Sequence, residues 1–553
     1  MQYLALIAIP VLITLAGEVH ADWPRWGGTK SCNMVCVETG LPDTICPGRR
    51  NEEGRWDFGL ATNVAWVTHL GTQTYGSPVV AGDRIVIGFA RRQNGAVLCL
   101  NARDGALIWT LPIPKKRSVH GHHFDCGYGI CATPGVEGEC AYIVSSRGEV
   151  LCLDMAGQEN GNGGPFLDEG KYFAGPGSRR KPATPVTLMP EHGDILWRYD
   201  IIAELDVRPH DASSCSVLVH GNYLYVCTGN GVNDRENETH NPDAPSLVVL
   251  DKQNGQMVAK DAEGIGRTLF KGQWSSPSLA VVDGREMVLF GAGDGFCYAF
   301  EPVEKGTVPV AALRRVWKAD CNPAHYRKDS KGADIPYSWK KMTKGRITRE
   351  RDLWNKKRGH LGPCEIIATP VCVDGRVYVS VGRDPASKDG VGNIVCIDAR
   401  TGKRLWNWDG LNRSCSTVSV TNGLLYIAQT FGKVHCLDAV TGKRHWTHEI
   451  GGQIWGSTLA ADGKVYLPGT KGLAILKEGP KLELLAAIRF DTPLYSNVVA
   501  VDKTLYVATQ RFLYAARMDH EGPPSHYPRG SEASGMRTNR DVGVGIKLET
   551  EER

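Results

Sequence analysis

Three times in this chain an Asp or Asn closing a short apolar run is followed eight residues later by tryptophan: Asn101 and Trp109, Asp398 and Trp406, Asp438 and Trp446. A fixed spacing of this kind constrains the fold more than any single motif, because it marks a structural unit that recurs. The fullest copy occupies residues 413–446. Val418 and Val420 alternate ahead of the turn dipeptide Asn422-Gly423, and Leu425-Tyr426-Ile427 follows as a second short run. Phe431-Gly432 allows a reversal into Val434-His435-Cys436-Leu437, which ends at Asp438 and Gly442. Short apolar runs separated by turn dipeptides favour an antiparallel meander over helices. A four-strand unit of about forty residues is the blade of a β-propeller.

Eight copies can be laid against this unit. They are entered at Ser77-Pro78, Thr133-Pro134, Cys215, Trp274, Thr369-Pro370, Arg413, Trp455 and Tyr495. The second copy reaches its closing Trp197 only after a long insertion, Ala259 fills the tryptophan position of the third, and Trp317 closes the fourth. The last copy lacks a fourth strand, whereas residues 63–70, ahead of the first copy, form a lone strand carrying Trp66. Pairing that strand with the last blade closes the ring and leaves no open edge. The expectation is an all-β, eight-bladed propeller of four-stranded antiparallel blades over residues 61–516. Trp66, Trp109, Trp197, Trp317, Trp406 and Trp446 are expected to pack between blades, with the repeated Gly and Asp serving turns. Cys99, Cys152, Cys396 and Cys436 share one position of the repeat, which reads as a small buried hydrophobe rather than as chemistry.

Outside the repeats, residues 1–21 hold an apolar run too short for a comfortable membrane span, with small residues before a cut after Ala21. This reads as a secretory signal peptide and places the chain in the periplasm or outside the cell. No other stretch is apolar and long enough to cross a membrane. Export permits disulfides among the 17 cysteines, with Cys32, Cys36, Cys46, Cys126 and Cys131 the best candidates. A formal charge of +4 gives no reason to expect a nucleic-acid partner. Residues 22–60 form a Cys- and Gly-rich extension expected to cross one face or the rim of the ring. His120, His122 and His123 fall in a linker and are read as exposed or satisfied imidazoles rather than metal ligands. Residues 157–190 read as a surface loop and 318–363, with a basic run from Lys340 to Arg358, as a long decoration that adds no blade. Residues 517–553 read as a flexible tail.

The repeat pattern, (Ser/Thr)-Pro-Val, then Tyr-Val, then Val-x-Cys-Leu-Asp-Ala-x-Thr-Gly and Trp, resembles the pyrroloquinoline-quinone (PQQ)-type repeat. That repeat builds the quinoprotein alcohol dehydrogenases and the propeller of the outer-membrane assembly lipoprotein. Segments such as Gln273-Trp274-Ser275-Ser276 resemble exported propellers of planctomycete-type bacteria. In the dehydrogenases the resemblance implies PQQ on the ring axis over a Trp floor, under a vicinal disulfide, with Ca²⁺ bridging it to protein oxygens. Thr228-Gly229-Asn230 is similar to the segment whose Asn binds that metal, so Asn230 carries over, and Trp274 stands as a floor. Asp294, Glu365 and Asp384 are further carboxylates that separate blades would bring to the axis. Other parts of the pattern are missing. No two cysteines are adjacent, and the stretch matching the Glu ligand reads Val144-Ser145-Ser146-Arg147-Gly148. Pro209-His210-Asp211, similar to the segment before the catalytic Asp, precedes Asn230 where the enzymes have it following. The expectation is therefore an exported binding or scaffold module that holds a protein, peptide or polysaccharide at a propeller face, without catalysis or tightly bound PQQ. The alternative is a periplasmic oxidoreductase of alcohols or sugars using PQQ and Ca²⁺, with its catalytic residue unassigned.

Overall fold

A computed structural model describes residues 22–115, 126–177, 183–233, 238–304, 306, 310–328, 363–382, 392–520 and 522–528. The signal segment, His120, His122, His123, Asp384 and the basic run 340–358 lie outside the described residues.

The chain builds eight antiparallel four-stranded meanders, each strand bonded to the next, and they close into an eight-bladed propeller. Blade 6 shows the pattern with Ser419–Thr421, Leu424–Gln429, Lys433–Asp438 and Arg444–Glu449. In blade 8, strands Val499–Val501, Thr504–Ala508 and Phe512–Ala516 are completed by Val64–His69 from the other end of the chain, with Trp66 opposite Ala515. Closure thus follows the expected route. A meander of this kind puts the turns between second and third strands on one face, together with the connections between blades. The remaining hairpin turns lie on the opposite face.

The recurring tryptophan is a device for docking one blade on the next. Trp109, Trp197, Trp406 and Trp446 stand opposite Cys99, Cys152, Cys396 and Cys436, and a register shift follows each pair. Those cysteines are buried, as their periodic placement requires. Each indole N–H donates to a carbonyl of the following blade: Trp66 to Ala102 at 3.2 Å, Trp109 to Met155 at 2.9 Å, Trp197 to Lys252 at 3.1 Å, Trp317 to Ala399 at 2.8 Å, Trp406 to Ala439 at 3.2 Å and Trp446 to Gly479 at 3.0 Å. The turn glycine of that following blade lies flat on the ring. A Cβ at Gly105 would come within 2.5 Å of Trp66, and one at Gly442 within 2.5 Å of Trp406. Five of these six tryptophans are buried and Trp406 is half-buried. Where Ala259 replaces the tryptophan, the short strand Ala311–Ala312 pairs alongside it in parallel as a fifth strand at the outer edge of the blade.

The N-terminal extension crosses one face of the ring, that of the first hairpin turns, where Leu41 N–H reaches Asp462 and Lys503 N–H reaches Glu38. Its backbone runs along the innermost strands, visiting blades 1, 2, 3, 4, 6, 7 and 8. Val80 N–H donates to Trp23 at 3.0 Å, Val136 to Pro24 at 2.7 Å, Leu279 to Lys30 at 2.8 Å and Ala460 to Met34 at 3.0 Å. Arg25 Nη1 reaches the Val219 carbonyl at 3.0 Å, and Asn33 exchanges two 2.9 Å bonds with the backbone of Val420. Cys36 Sγ points to the Ala500 carbonyl at 3.4 Å. The extension therefore stops the axial opening on the face of the first hairpin turns. Cys32, Cys36 and Cys46 of the extension are free thiols, so hydrogen bonds to the blades, not a cross-link, hold it.

Two other segments are more ordered than their composition suggests. The 157–190 insertion contains the 3-10 turn Gly157–Asn160 and the helix Glu169–Ala174. Buried Glu169 accepts from Asn162 Nδ2 at 3.0 Å and from the Ile195 N–H at 3.3 Å, which ties the insertion to blade 2. In the tail, Ser525 N–H donates to Ala65 and Val67 N–H to His526, both at 2.8 Å, so this stretch lines the outer edge of the closing strand.

Candidate functional site

The entrance of each blade, just before its innermost strand, carries a Ser, Thr or Asn that is buried against the axis. These residues are stitched together around the ring. The N–H of one donates to the side-chain oxygen of the next: Ser77 to Thr133 at 3.1 Å, Thr133 to Ser216 at 3.0 Å and Ser216 to Ser276 at 2.8 Å. The series continues from Thr369 to Thr417 at 3.2 Å, Thr417 to Ser457 at 2.9 Å, Ser457 to Asn497 at 2.6 Å and Asn497 back to Ser77 at 3.1 Å. Between blades 4 and 5 the hydroxyls of Ser275 and Ser278 make the connection, to Ala368 and Pro370 carbonyls at 2.8 and 2.6 Å. Buried backbone donors need such partners where eight strand ends converge.

Two residues before each member of that ring, the side chain is only half-buried. The eight positions are Tyr75, Cys131, Ser214, Trp274, Ile367, Cys415, Trp455 and Tyr495, and every one is half-buried beside a buried neighbour. They form a collar around the axial mouth on the face opposite the extension. Its aromatic arc spans blades 7, 8 and 1. Tyr75 stacks on Tyr495 with centroids 5.1 Å apart, and Trp455 meets Tyr495 edge-on at 5.9 Å. Tyr128 extends the arc at 6.0 Å from Tyr75. Gln453 Oε1 fixes the Trp455 indole at 3.1 Å, and Gln73 bonds the Tyr75 hydroxyl. Burial drives the Tyr75 phenol far above its ordinary range, so it stays a neutral hydrogen-bonding group. Trp274 holds the equivalent position on blade 4 and meets His210 edge-on at 6.3 Å.

Four of the expected cofactor residues, Asn230, Trp274, Asp294 and Glu365, lie on the same face, and Asp384 falls outside the described residues. Asn230 is fully buried. Its amide donates to the Asn241 carbonyl at 2.9 Å while its oxygen takes the Arg208 N–H at 3.4 Å, which staples the long turn of blade 3. Trp274 donates to the His210 carbonyl at 3.3 Å, and His210 Nδ1 bonds the Val232 carbonyl at 2.8 Å, so the Pro209-His210 segment is a strap beside the collar. Asp294 accepts from the Tyr298 hydroxyl at 2.7 Å and the Phe296 N–H at 3.1 Å. Burial pushes its carboxyl up to about 6, against those hydrogen bonds and the nearby Arg327. Glu365 is buried at the entry to blade 5, where its carbonyl takes the Gly382 N–H at 3.2 Å. A calcium cage needs several oxygens aimed at one point. Asn230 and Asp294 spend theirs on protein donors, and no cluster of three or more His, Cys, Asp or Glu residues suited to a metal occurs among the described residues. The described donors thus do not fit the cage that the resemblance implies.

Sequence reasoning found Trp274 but missed the collar it belongs to. The signal was the position two residues ahead of each Ser, Thr or Asn entrance, which holds Tyr or Trp in four blades and Cys, Ser or Ile in the others and therefore has no single consensus.

A family model described as Outer membrane protein assembly factor BamB matches residues 61–199 and 390–477. Over those residues the chain carries repeats of the PQQ-type, BamB-like family. The outer membrane protein assembly factor BamB of Alkalilimnicola ehrlichii is 27% identical over 197 residues, which is 34% of this chain and 43% of that protein. The match therefore spans less than half of the curated relative. Among solved structures, a europium-containing methanol dehydrogenase superposes with a TM-score of 0.53 at 12% identity, covering 89% of this chain and 90% of the other. BamB from Moraxella catarrhalis gives 0.48 at 14% identity, covering 83% and 98%. At 12% identity the superposition on the methanol dehydrogenase speaks to the fold alone. No described helix is long and apolar enough to cross a membrane.

Proposed function

We propose that this propeller is an exported binding and scaffold module that seats an extended partner, a peptide, protein segment or polysaccharide, on the aromatic collar at its axial mouth, without catalysis. The observation that carries this reading is the collar itself: eight half-buried positions around one opening, four of them Tyr or Trp, above a closed hydrogen-bonded ring. Rigid, amphipathic rings presented at a concave mouth bind chains and sugar faces at small entropic cost. The printed name of the BamB relative, an assembly factor, is in keeping with a role in holding other molecules. The engagement of Asn230 and Asp294 in internal bonds supports the non-catalytic side of the proposal. Periplasmic or secreted placement rests on the N-terminal segment.

The test is a pair of titrations. PQQ with Ca²⁺ is followed by absorbance and calorimetry, together with dye-linked oxidation of alcohols and aldoses. Tryptophan fluorescence is followed against a panel of extended peptides and oligosaccharides. The expected result is quenching by a member of the panel that is lost in Trp455→Ala, with neither turnover nor tight PQQ binding. Stoichiometric PQQ binding that disappears in Asn230→Ala overturns the proposal and establishes the oxidoreductase reading.

A further inference from the structure

Away from the axis, blade 2 carries a second concavity. The helix Glu169–Ala174 of the insertion stands off the outermost strand Asp194–Asp200 and leaves a cavity of about 430 Å³. Arg147, Arg198 and Lys171 line it, with Asp168 and the rings of Phe166 and Tyr172. The electrostatics turn on Glu149, which is completely buried beneath the two arginines. Arg198 Nη1 reaches Glu149 Oε1 at 3.0 Å and Arg147 Nη2 reaches the same oxygen at 3.3 Å. The other oxygen is taken by the Tyr172 hydroxyl at 2.7 Å and the Ser145 hydroxyl at 3.3 Å. Burial and the Glu149 charge hold the Tyr172 phenol well above its usual range, so this hydroxyl keeps its proton and remains a donor.

One carboxylate thus answers two guanidinium groups. The remaining pair, Lys171 and Asp168, is 2.8 Å apart and neutralises itself. Among the described lining residues and their ion-pair partners, three cations meet two carboxylates, an excess of one positive charge. The two guanidinium planes are also held in place. Arg147 lies 4.5 Å over the Tyr172 ring and Arg198 lies 5.6 Å over Phe166. Stacked and tethered at one edge, each fork is ordered before anything binds, which lowers the cost of engaging an oxyanion. The Nε of Arg147 is buried with no hydrogen-bond partner, so the desolvation of this cation is only partly compensated within the protein. A cavity of this size admits a ring-sized ligand, and its aromatic walls suit a sugar or other flat organic ring.

We propose that this cavity is an oxyanion site for a small organic ligand, a sugar-like ring bearing a carboxylate or a phosphate. The charge excess and the two preset guanidinium forks recognise the anion, while Phe166 and Tyr172 flank the ring. The site shares no residue with the axial collar, so it stands or falls separately from the function proposed for that collar.

The experiment is calorimetric titration of the full chain, at low and at high salt, with glucuronate, glucose 6-phosphate, inorganic phosphate and glucose. The expected result is 1:1 binding of glucuronate or glucose 6-phosphate, weakened by salt, with no binding of glucose. Preference between the two anions tells whether carboxylate or phosphate is the natural group. Arg198→Gln, at the more exposed of the two arginines, is expected to weaken binding by roughly tenfold or more, the loss of a charge-assisted contact. Its urea midpoint checks that the fold persists. Trp455→Ala, in the collar, is expected to leave this binding unchanged. Equal binding of glucose overturns the proposal. So does anion binding undiminished in Arg198→Gln, or inorganic phosphate binding as tightly as glucose 6-phosphate.

Discussion

Asp294 shows at the scale of one side chain how the collar face is held together. Its carboxyl is enclosed, bonded to Tyr298 and Phe296, and raised to about 6 by burial. A carboxyl raised on folding favours the native state fully below its unfolded value, near 4, and that contribution fades as pH climbs through about 6. Asp194 is raised to about 6 in the same way and acts in the same direction. Asp294→Asn is therefore expected to flatten the loss of stability between about pH 4 and 6, read from urea midpoints across that range. An unchanged pH slope would remove Asp294 as the cause. The docking tryptophans make a second prediction at this scale. Trp446 is buried on Tyr426 and donates to Gly479, so Trp446→Ala opens a large cavity and orphans a carbonyl. The expected cost is about 3–5 kcal/mol, seen as a lowered urea midpoint.

Elements were legible in the sequence to the extent that they repeat. Asn422-Gly423, Asp438, Gly442 and Trp446 recur because every blade solves the same problems, two tight turns and one docking contact, so their spacing gave the strands and their order. The closing strand Val64–His69 was legible for the same reason, since Trp66 marks it as a fourth strand without a blade. What does not repeat was hidden. The helix Glu169–Ala174 is polar and short, and depends on Glu169 finding Asn162 and Ile195, a contact that local composition does not display. The extension was hidden likewise, because its partners Val80, Leu279 and Ala460 lie hundreds of residues apart in places and meet only at the axis. At the site, Trp274 was found by resemblance, whereas Tyr75, Trp455 and Tyr495 join it only once the ring is closed. The extension yields a direct prediction. A chain beginning at residue 61 loses the acceptors for the Val80, Val136, Leu279 and Ala460 amides. Those amides are expected to exchange with deuterium at least tenfold faster, while amides at blade centres such as Tyr426 change little. Uniform acceleration everywhere would show that the extension stabilises the whole fold rather than stopping its axis.

For the molecule as a whole, one strand carries topological closure. Without Val64–His69, blade 8 ends at Phe512–Ala516, whose outer edge would present unpaired backbone groups from Phe512 to Ala516. An exposed strand edge recruits other chains. The same deletion removes Trp66 from its seat on Gly105 and its bond to Ala102, so the junction between blades 8 and 1 loses its docking contact as well. The ring of entrance residues still links blade 8 to blade 1 through Asn497 and Ser77 at 3.1 Å, which gives the opened molecule a reason to stay folded rather than unravel. A chain beginning at residue 73 is therefore expected to form concentration-dependent oligomers by light scattering, with most of its β-sheet signal retained. The chain beginning at residue 61 serves as the control, because it lacks the extension but keeps the closing strand. Adding a synthetic peptide of residues 61–72 to the opened chain is expected to return it to monomer, and the same peptide with Trp66→Ala to do so at least tenfold less well, given the cost of losing a buried indole. If the two truncated chains are equally monomeric, the seam at Val64–His69 does not close the ring, and the ring of hydrogen-bonded entrances alone does.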